Sequence, residues 1–263
     1  ITKDKTRGEI YLRYLERELE LYEPLLGERR SVKQLHLGGG TPTFFSLAQL
    51  EWLMQRLQST FRFAGDGEYS IEIDPRTVAA SEMERLRAIG FNRASLGVQD
   101  FDPAVQQAVH RVQSQSMTLE LIDATRKAGF ASTSVDLIYG LPKQTLAGFE
   151  RTLDAIVGAR PDRIALYGYA HLPSLFYPQT RIVERDLPST EQKLAIMQRA
   201  IAHLLEAGYV YIGMDHFAHP DDELAVAQRD GALQRNFQGY STHGGHDMLA
   251  LGVSAISFMG GIY

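Results

Sequence analysis

Three short segments carry the residues best suited to chemistry. In Glu68 to Ile73 the apolar Tyr69, Ile71 and Ile73 alternate with Ser70 and Glu72. In Arg93 to Val98, Ala94, Leu96 and Val98 alternate with Ser95, Gly97 and, just beyond, Gln99. In Ser132 to Leu137, Val135 and Leu137 alternate with Ser134 and Asp136. Successive side chains of a strand point to opposite faces, so Glu72, Gln99 and Asp136 fall on one small, polar face near strand C-termini. Ligands sit at that end in parallel α/β folds. A buried carboxylate is costly unless it has hydrogen-bonding partners. Two in matching positions suit a ligand bearing hydroxyl or amino donors, whereas either alone also reads as a surface carboxylate at a strand end. Arg111, in His110-Arg111, follows Gln99-Asp100-Phe101 and could pair bidentately with a carboxylate ligand; taken alone it reads as a solvated arginine.

A glycine-rich stretch adds a second element. Gln34 to Phe45 reads QLHLGGGTPTFF. The strand from Val32 to Leu37 runs into Gly38, Gly39 and Gly40, then Thr41 and Pro42. Consecutive glycines let backbone approach a ligand closely, and Pro42 stops the strand. Ser46 with Gln49 three residues on predicts a capping box opening the next helix. The alternative is an ordinary strand-to-helix turn.

Positioning these residues requires a repeated strand–helix framework. Helices are predicted from Glu9 to Leu26, after Ser46, around Met83 to Ile89, from Leu146 to Val157 and after Ser189, where Gln192 completes a second capping box. The unit helix–glycine–aromatic–strand recurs at Gly90-Phe91, Gly129-Phe130 and Gly208-Tyr209, before strands at Arg93, Ser132 and Tyr209 to Met214. A further strand spans Arg163 to Tyr169. This is the spacing of a barrel or a doubly wound sheet. A sheet covered by helices on both faces reads as continuous apolar runs. The polar face here predicts instead a partly hollow barrel around a ligand.

The chain has 263 residues, 44% hydrophobic, with a formal net charge of -5, and so is large enough for one large domain. It shows no basic stripe, which argues against nucleic acid, and no apolar run long enough to span a membrane. No signal peptide opens it, and a cytoplasmic location is expected. It contains no cysteine, which excludes disulfides and thiolate metal sites within these residues. His216 and His219 beside Asp215, Asp221 and Asp222, and His243 with His246, are a weak metal candidate without an H-E-x-x-H pattern. The proline-rich segment Gly168 to Pro188 reads as an active-site loop.

Several motifs resemble radical S-adenosylmethionine (SAM) enzymes, and in particular the oxygen-independent coproporphyrinogen III oxidase family. They are LHLGGGTPTFF (Leu35 to Phe45), SIEIDPR (Ser70 to Arg76), GFNRASLGVQDF (Gly90 to Phe101), DLIYGLPKQT (Asp136 to Thr145), YAHLPSLF (Tyr169 to Phe176), GMDHFAHPDDELAVAQ (Gly213 to Gln228) and RNFQGYSTHGG (Arg235 to Gly245). The resemblance implies a partial (β/α)6 TIM-like barrel, a curved parallel sheet with outer helices, filling residues 1–263. It implies a [4Fe-4S] cluster and two SAM molecules. Gly39, Glu72 and Ile256 would contact the cluster-ligating SAM; Gly40, Thr41, Gln99, Arg111, Asp136 and Ala170 would hold the second. The implied reaction is oxidative decarboxylation of two propionates of coproporphyrinogen III to vinyls. A reduced cluster cleaves SAM, and a 5′-deoxyadenosyl radical takes a hydrogen from the propionate. A flavodoxin- or ferredoxin-type electron donor is implied as partner.

One departure stands out. The family holds its cluster with C-x3-C-x2-C after its first strand, and no cysteine occurs here. The expectation is that those cysteines lie upstream of Ile1 and that a C-terminal substrate domain follows Tyr263. Two other readings stay open: a non-catalytic haem-binding relative, and an unrelated (β/α) aldolase or isomerase using Glu72 or Asp136 as base and Lys143 as its nearest lysine.

Overall fold

A computed structural model describes residues 4–28, 30–236 and 239–262. Phe237 and Gln238, within the Arg235 to Gly245 motif, lie outside them.

The chain alternates helix and strand along most of its length. Helix α1 (Thr6–Leu26) leads to β1 (Ser31–Leu37), α2 (Leu47–Thr60), β2 (Arg62–Ile73), α3 (Met83–Ala88) and β3 (Arg93–Gln99). Then come α4 (Pro103–Ala108), α5 (Gln115–Lys127), β4 (Ser132–Tyr139), α6 (Leu146–Ala159), β5 (Arg163–Gly168) and α7 (Thr190–Glu206). The chain continues through β6 (Val210–Gly213), β7 (His216–Ala218), α8 (Glu223–Arg229), β8 (Gln234–Asn236) and β9 (Gly239–Ser241). Both predicted capping boxes form: the Ser46 and Ser189 hydroxyls accept from Gln49 N and Gln192 N, and each glutamine side chain accepts from the cap's own N–H.

The main sheet has the order β1-β2-β3-β4-β5-β7-β6. Strands β1 to β5 are parallel to their neighbours. The sheet is open and curled, with helices outside, as a partial (β/α) barrel requires. Its far edge departs from the parallel repeat. β6 turns straight back into β7, which pairs antiparallel with both β5 and β6. The turn is made possible by positive φ at Gly213 (142°) and Met214 (47°), so Gly208-Tyr209 opens a hairpin rather than another parallel unit. β2 begins six residues earlier than its apolar alternation suggests, because Arg62 and Phe63 pair with β1 ahead of an irregularity between Val32 and Gln34. The segment Gly168 to Pro188 is irregular apart from short 3₁₀ turns at Tyr177–Arg181 and Glu184–Asp186.

The predicted two-faced sheet is present. Ile71, Leu96, Val135, Leu137 and Ile164 are buried in one core with Met54, Leu86, Phe149, Leu153 and Leu204 from the helices. Fully burying each large apolar side chain stabilises the fold by roughly 1.5–3 kcal/mol. The opposite face turns inward and is closed at the strand starts by a charged plug. Arg93 pairs with Glu223, and Arg163 pairs with Asp222 at 2.8 Å and Glu223 at 3.3 Å. Glu68 accepts from Gln34 at 3.0 Å and meets His243 Nε2 at 3.2 Å, which ties the segment after β9 to the barrel floor. The other end of the inward face, at the strand C-termini, lacks such a plug among the described residues.

Asn92 splices β2 to β3. Its Oδ1 accepts from Tyr69 N at 2.8 Å and its Nδ2 donates to Gly67 O at 2.8 Å. Asn92→Ala leaves both backbone groups without these partners, so the free energy of unfolding in urea should fall by roughly 1–3 kcal/mol; an unchanged midpoint would show that water replaces both bonds.

Candidate functional site

At the strand C-termini the inward side chains crowd together. Glu72 of β2 stands opposite Ser95 of β3, and Gly97 of β3 stands opposite Asp136 of β4. His36 of β1 links to Ser70 Oγ through Nδ1 at 2.8 Å and to Glu72 Oε1 through Nε2 at 3.2 Å. Gly38 lies over this pair, and a Cβ there would collide with the His36 ring and the Glu72 carboxylate. Gly39 (φ 77°), Gly40 and Thr41 follow, all exposed, with open space where a Cβ of either glycine would sit. The glycine turn is therefore an uncovered rim of backbone beside His36 and Glu72.

Asp136 is the electrostatic centre. The described residues offer its carboxylate one hydrogen bond, from Ser95 Oγ at 3.2 Å. Burial pushes its pKa up to about 6; the Ser95 bond lowers it, the Glu72 charge raises it, and His36 and Arg111 pull it back down. Its surface is not wholly covered, because it lines the mouth, yet protein atoms surround it closely enough to disfavour the charge. Tyr167 of β5 feels the same field: burial, then the Asp136 and Glu72 charges, push its phenol up to about 12.

Gln99 and Arg111 complete the cluster. Gln99 ends β3 with φ 69°, and Asp100 N donates to Val98 O across it at 2.9 Å. That pattern is a γ-turn of the strained positive-φ kind, which clusters at functional sites. Arg111 is aimed by the turn after α4, where its N–H donates to Gln106 O at 2.8 Å. Its Nη2 donates to Gly97 O at 2.9 Å and its Nη1 to Asp74 Oδ2 at 3.3 Å. Asp74 also takes two bonds from Arg76, at 3.0 and 2.6 Å. Burial opposes ionisation of Asp74, but the Arg76 bonds and the Arg111 charge outweigh it and hold its carboxyl below the usual range. Gln99 Oε1 and Arg111 Nε are buried without a hydrogen-bond partner. Buried polar groups are nearly always paired, so an acceptor and a donor stand ready in one mouth beside an under-partnered carboxylate.

The structure thus brings together Glu72, Gln99, Arg111 and Asp136, with Gly39, Gly40 and Thr41 at the rim. Ala170 is exposed beyond β5, its carbonyl accepting from Gln179 at 3.0 Å. Ile256 is 40% exposed on an irregular segment pinned to α1 through Gly252 N and Glu18 Oε2 at 2.8 Å. Sequence reasoning left out His36, which alternates with Leu35 and Leu37, and Tyr167, whose alternation with Ile164 and Leu166 was the available signal. The histidine pairs are spoken for separately. His216 packs edge-on to Tyr167 and Tyr240, His219 stacks on Tyr209, and His243 meets Glu68. Among the described residues no group of three or more His, Cys, Asp or Glu is arranged to hold a metal. None of their helices is long and apolar enough to cross a membrane.

A curled parallel sheet with a polar mouth and a glycine rim is the frame of a SAM-radical barrel, and residues 2–156 match the Radical SAM superfamily. The chain belongs to that superfamily. It is 54% identical over 265 residues to the oxygen-independent coproporphyrinogen III oxidase of Pseudomonas aeruginosa, covering 100% of this chain and 58% of the relative. It is 51% identical over 263 residues to the same-named protein of Escherichia coli, covering 100% of this chain and 57% of that one. The solved structure of coproporphyrinogen III oxidase from Escherichia coli, described as a radical SAM enzyme, superimposes with a TM-score of 0.95 at 51% identity, covering 97% of this chain and 59% of that one. The chain therefore spans less than three-fifths of these relatives' lengths. The superfamily match removes the aldolase reading. Lys143, the lysine it needs, instead faces Asp186 at 3.7 Å and is half exposed.

The raised Asp136 carboxyl has a measurable signature. From about pH 4 to 6 the folded protein keeps a proton that the unfolded chain has released, so folding stability falls as pH rises through that window and stays lower above it. Asp136→Asn should therefore raise the free energy of unfolding of ligand-free protein at pH 8 by up to about 3 kcal/mol, and change it little at pH 4. Urea titrations at the two pH values check this; an equal effect at both would assign the gain to packing.

Proposed function

We propose that this chain is the partial-barrel domain of a longer oxygen-independent coproporphyrinogen III oxidase. The reaction would convert coproporphyrinogen III to protoporphyrinogen IX by oxidative decarboxylation of two propionates, in cytoplasmic haem and porphyrin biosynthesis. The observation that carries this reading is 51–54% identity along the whole chain to proteins of that name.

The mouth suits SAM. A ribose diol presents two O–H donors, and ionised Asp136 is an acceptor with room for both. A methionine carboxylate suits the Arg111 fork, whose Nε is buried and unpaired. Gln99 Oε1, without a partner among the described residues, would accept from an N–H donor on the ligand. Gly40 and Thr41 offer backbone to the same molecule, and Ala170 closes its side. Gly39 and Glu72, with Ile256, face a second SAM, whose ammonium group suits the Glu72 carboxylate. Bound SAM would supply hydrogen-abstracting chemistry at this mouth, given an electron from the cluster of the longer protein. The contribution of this chain is to bind and orient: charge from Asp136, Glu72 and Arg111, and a backbone rim from the glycines.

A [4Fe-4S] cluster is a different matter. With no cysteine, these 263 residues do not supply its usual ligands. We place those ligands upstream of Ile1, and a C-terminal substrate domain after Tyr263, in the part of the relatives' length that this chain does not span. A flavodoxin- or ferredoxin-type protein would deliver the electron.

Anaerobically prepared full-length protein should be brown, contain iron and sulfide, and produce vinyl groups from coproporphyrinogen III. Haem binding without vinyl formation would replace this reading with that of a haem carrier. Asp136→Asn and Arg111→Lys should each weaken SAM about tenfold or more. Anaerobic equilibrium dialysis should show one of two SAM lost while decarboxylation collapses. Two SAM retained at full affinity would make these residues structural.

A further inference from the structure

Behind the mouth lies a buried polar cluster that touches no candidate ligand. Its hub is Asp100, 1% exposed, next to Gln99 in sequence. Asp100 Oδ1 accepts from Asp102 N at 2.8 Å and from Thr152 Oγ1 of α6 at 2.7 Å. Its Oδ2 accepts from Gln144 Nε2 at 2.6 Å. Gln144 is fully engaged. Its Nε2 also donates to Ile138 O at 2.9 Å, and its Oε1 accepts from Gly140 N at 2.6 Å, at the positive-φ turn (84°) that ends β4. The backbone of Asp100 does as much. Its N–H closes the γ-turn around Gln99, and its carbonyl accepts from Gln106 Nε2 at 2.8 Å. That same Nε2 donates to Gln113 O at 2.8 Å, while Gln106 Oε1 accepts from Gln113 N at 2.9 Å. Gln106 and Gln113 bracket the loop that presents Arg111.

We infer that Asp100 is a positioning residue, clamping the Gln99 turn, the Arg111 loop and the turn beyond Asp136 into one ligand-binding geometry. The carboxylate joins its own turn to Gln144 and to Thr152 of α6, while the Arg111 loop is held through the Asp100 carbonyl. All three of its side-chain partners are donors, so an acceptor-only group is required. Gln144 has no freedom to flip, because its oxygen is committed to Gly140 N. A buried carboxylate without a cationic partner is costly to keep, and packing alone would be served as well by an apolar side chain. What the carboxylate does instead is fix Gln144, which in turn holds left-handed Gly140, while the Asp100 N–H closes the turn at left-handed Gln99 on the other side of the mouth. Catalytic and binding groups need such rigid support to stay in register with a ligand. The inference rests on the SAM reading only for its choice of ligand.

The test uses full-length protein. Asp100→Asn sets an N–H₂ group against the Gln144 N–H₂. It should lower SAM affinity at one site about tenfold and raise deuterium exchange at 97–101 and 138–141 in ligand-free protein. Adding Gln144→Glu gives that N–H₂ an acceptor but sets an oxygen against Ile138 O, which Gln144 Nε2 serves at 2.9 Å, so SAM affinity and exchange protection should recover together but only in part. Asp100→Asn that binds SAM as the wild type does would overturn the inference. So would a double variant that regains exchange protection but not SAM affinity. If Asp100→Asn does not fold, Thr152→Val, which removes one donor to Asp100 and the acceptor of Phe101 N at 3.1 Å but leaves the Gln144 pair, decides: about a threefold loss supports the clamp and none overturns it. Wild-type protein that binds no SAM would defeat the functional reading alone, since the exchange comparison still decides the clamp.

Discussion

A carboxylate closely surrounded by protein, with one hydroxyl donor in reach, is the constraint around which this barrel mouth is built. Asp136 is held short of partners, and burial among protein atoms pushes its carboxyl up. Natural folds pair their buried polar groups, so persistent shortfalls mark functional sites more often than accidents. Here the shortfall is shared. Gln99 lacks a donor for its oxygen, Arg111 lacks an acceptor for Nε, and Gln99 sits in a strained turn. Each is a small instability that a ligand with hydroxyl, amino and carboxylate groups relieves.

The contrast with the floor of the same inward face makes the point. There Arg93, Arg163, Glu68, Asp222 and Glu223 interlock, and the segment carrying β8 and β9 is drawn onto them. Ion pairs join these charges to one another, although Arg93 Nε and Nη1 and Arg163 Nη2 have no hydrogen-bond partner among the described residues. At the mouth Arg111 is drawn partly toward Asp74, and among the described residues Asp136 has a hydroxyl donor in place of an ion pair. The same strands therefore have a closed end and an open end, decided by which residues stand at their starts and which at their finishes.

Support for the mouth comes from side chains that sequence patterning ranks as unremarkable. Asp100, Gln106, Gln144 and Thr152 are buried, polar and scattered over 53 positions, and they read singly as loop or helix residues. They become a unit only because β3, α4 and α6 converge behind Gln99. Asp74 behaves alike. It closes β2 as a strand-ending Asp-Pro pair in sequence, yet in the fold it fixes two arginines at once.

The sequence by itself determined the alternation of faces, hence which residues point inward, and the two capping boxes that start α2 and α7. These depend on neighbours two to four positions apart, which local geometry fixes regardless of the rest of the chain. It also placed Glu72 and Gln99 at strand ends and Asp136 on the same face, because a period of two carries along a strand without reference to its partners. But β4 runs past the expected Leu137 to Tyr139, because Ile138 and Tyr139 pair with Tyr167 and Gly168 of β5. Only the tertiary structure decided the rest. The β6–β7 hairpin reverses the sheet edge because β7 finds β5 across 48 residues, a pairing no local pattern encodes. Arg111 joins the mouth because the α4 turn folds back over Gly97. The raised Asp136 carboxyl and the orphaned Gln99 and Arg111 atoms arise from burial and from charges contributed by separate strands. Such properties belong to the assembled cavity, since solvent exclusion and the fields of distant residues exist only once the barrel has closed around it.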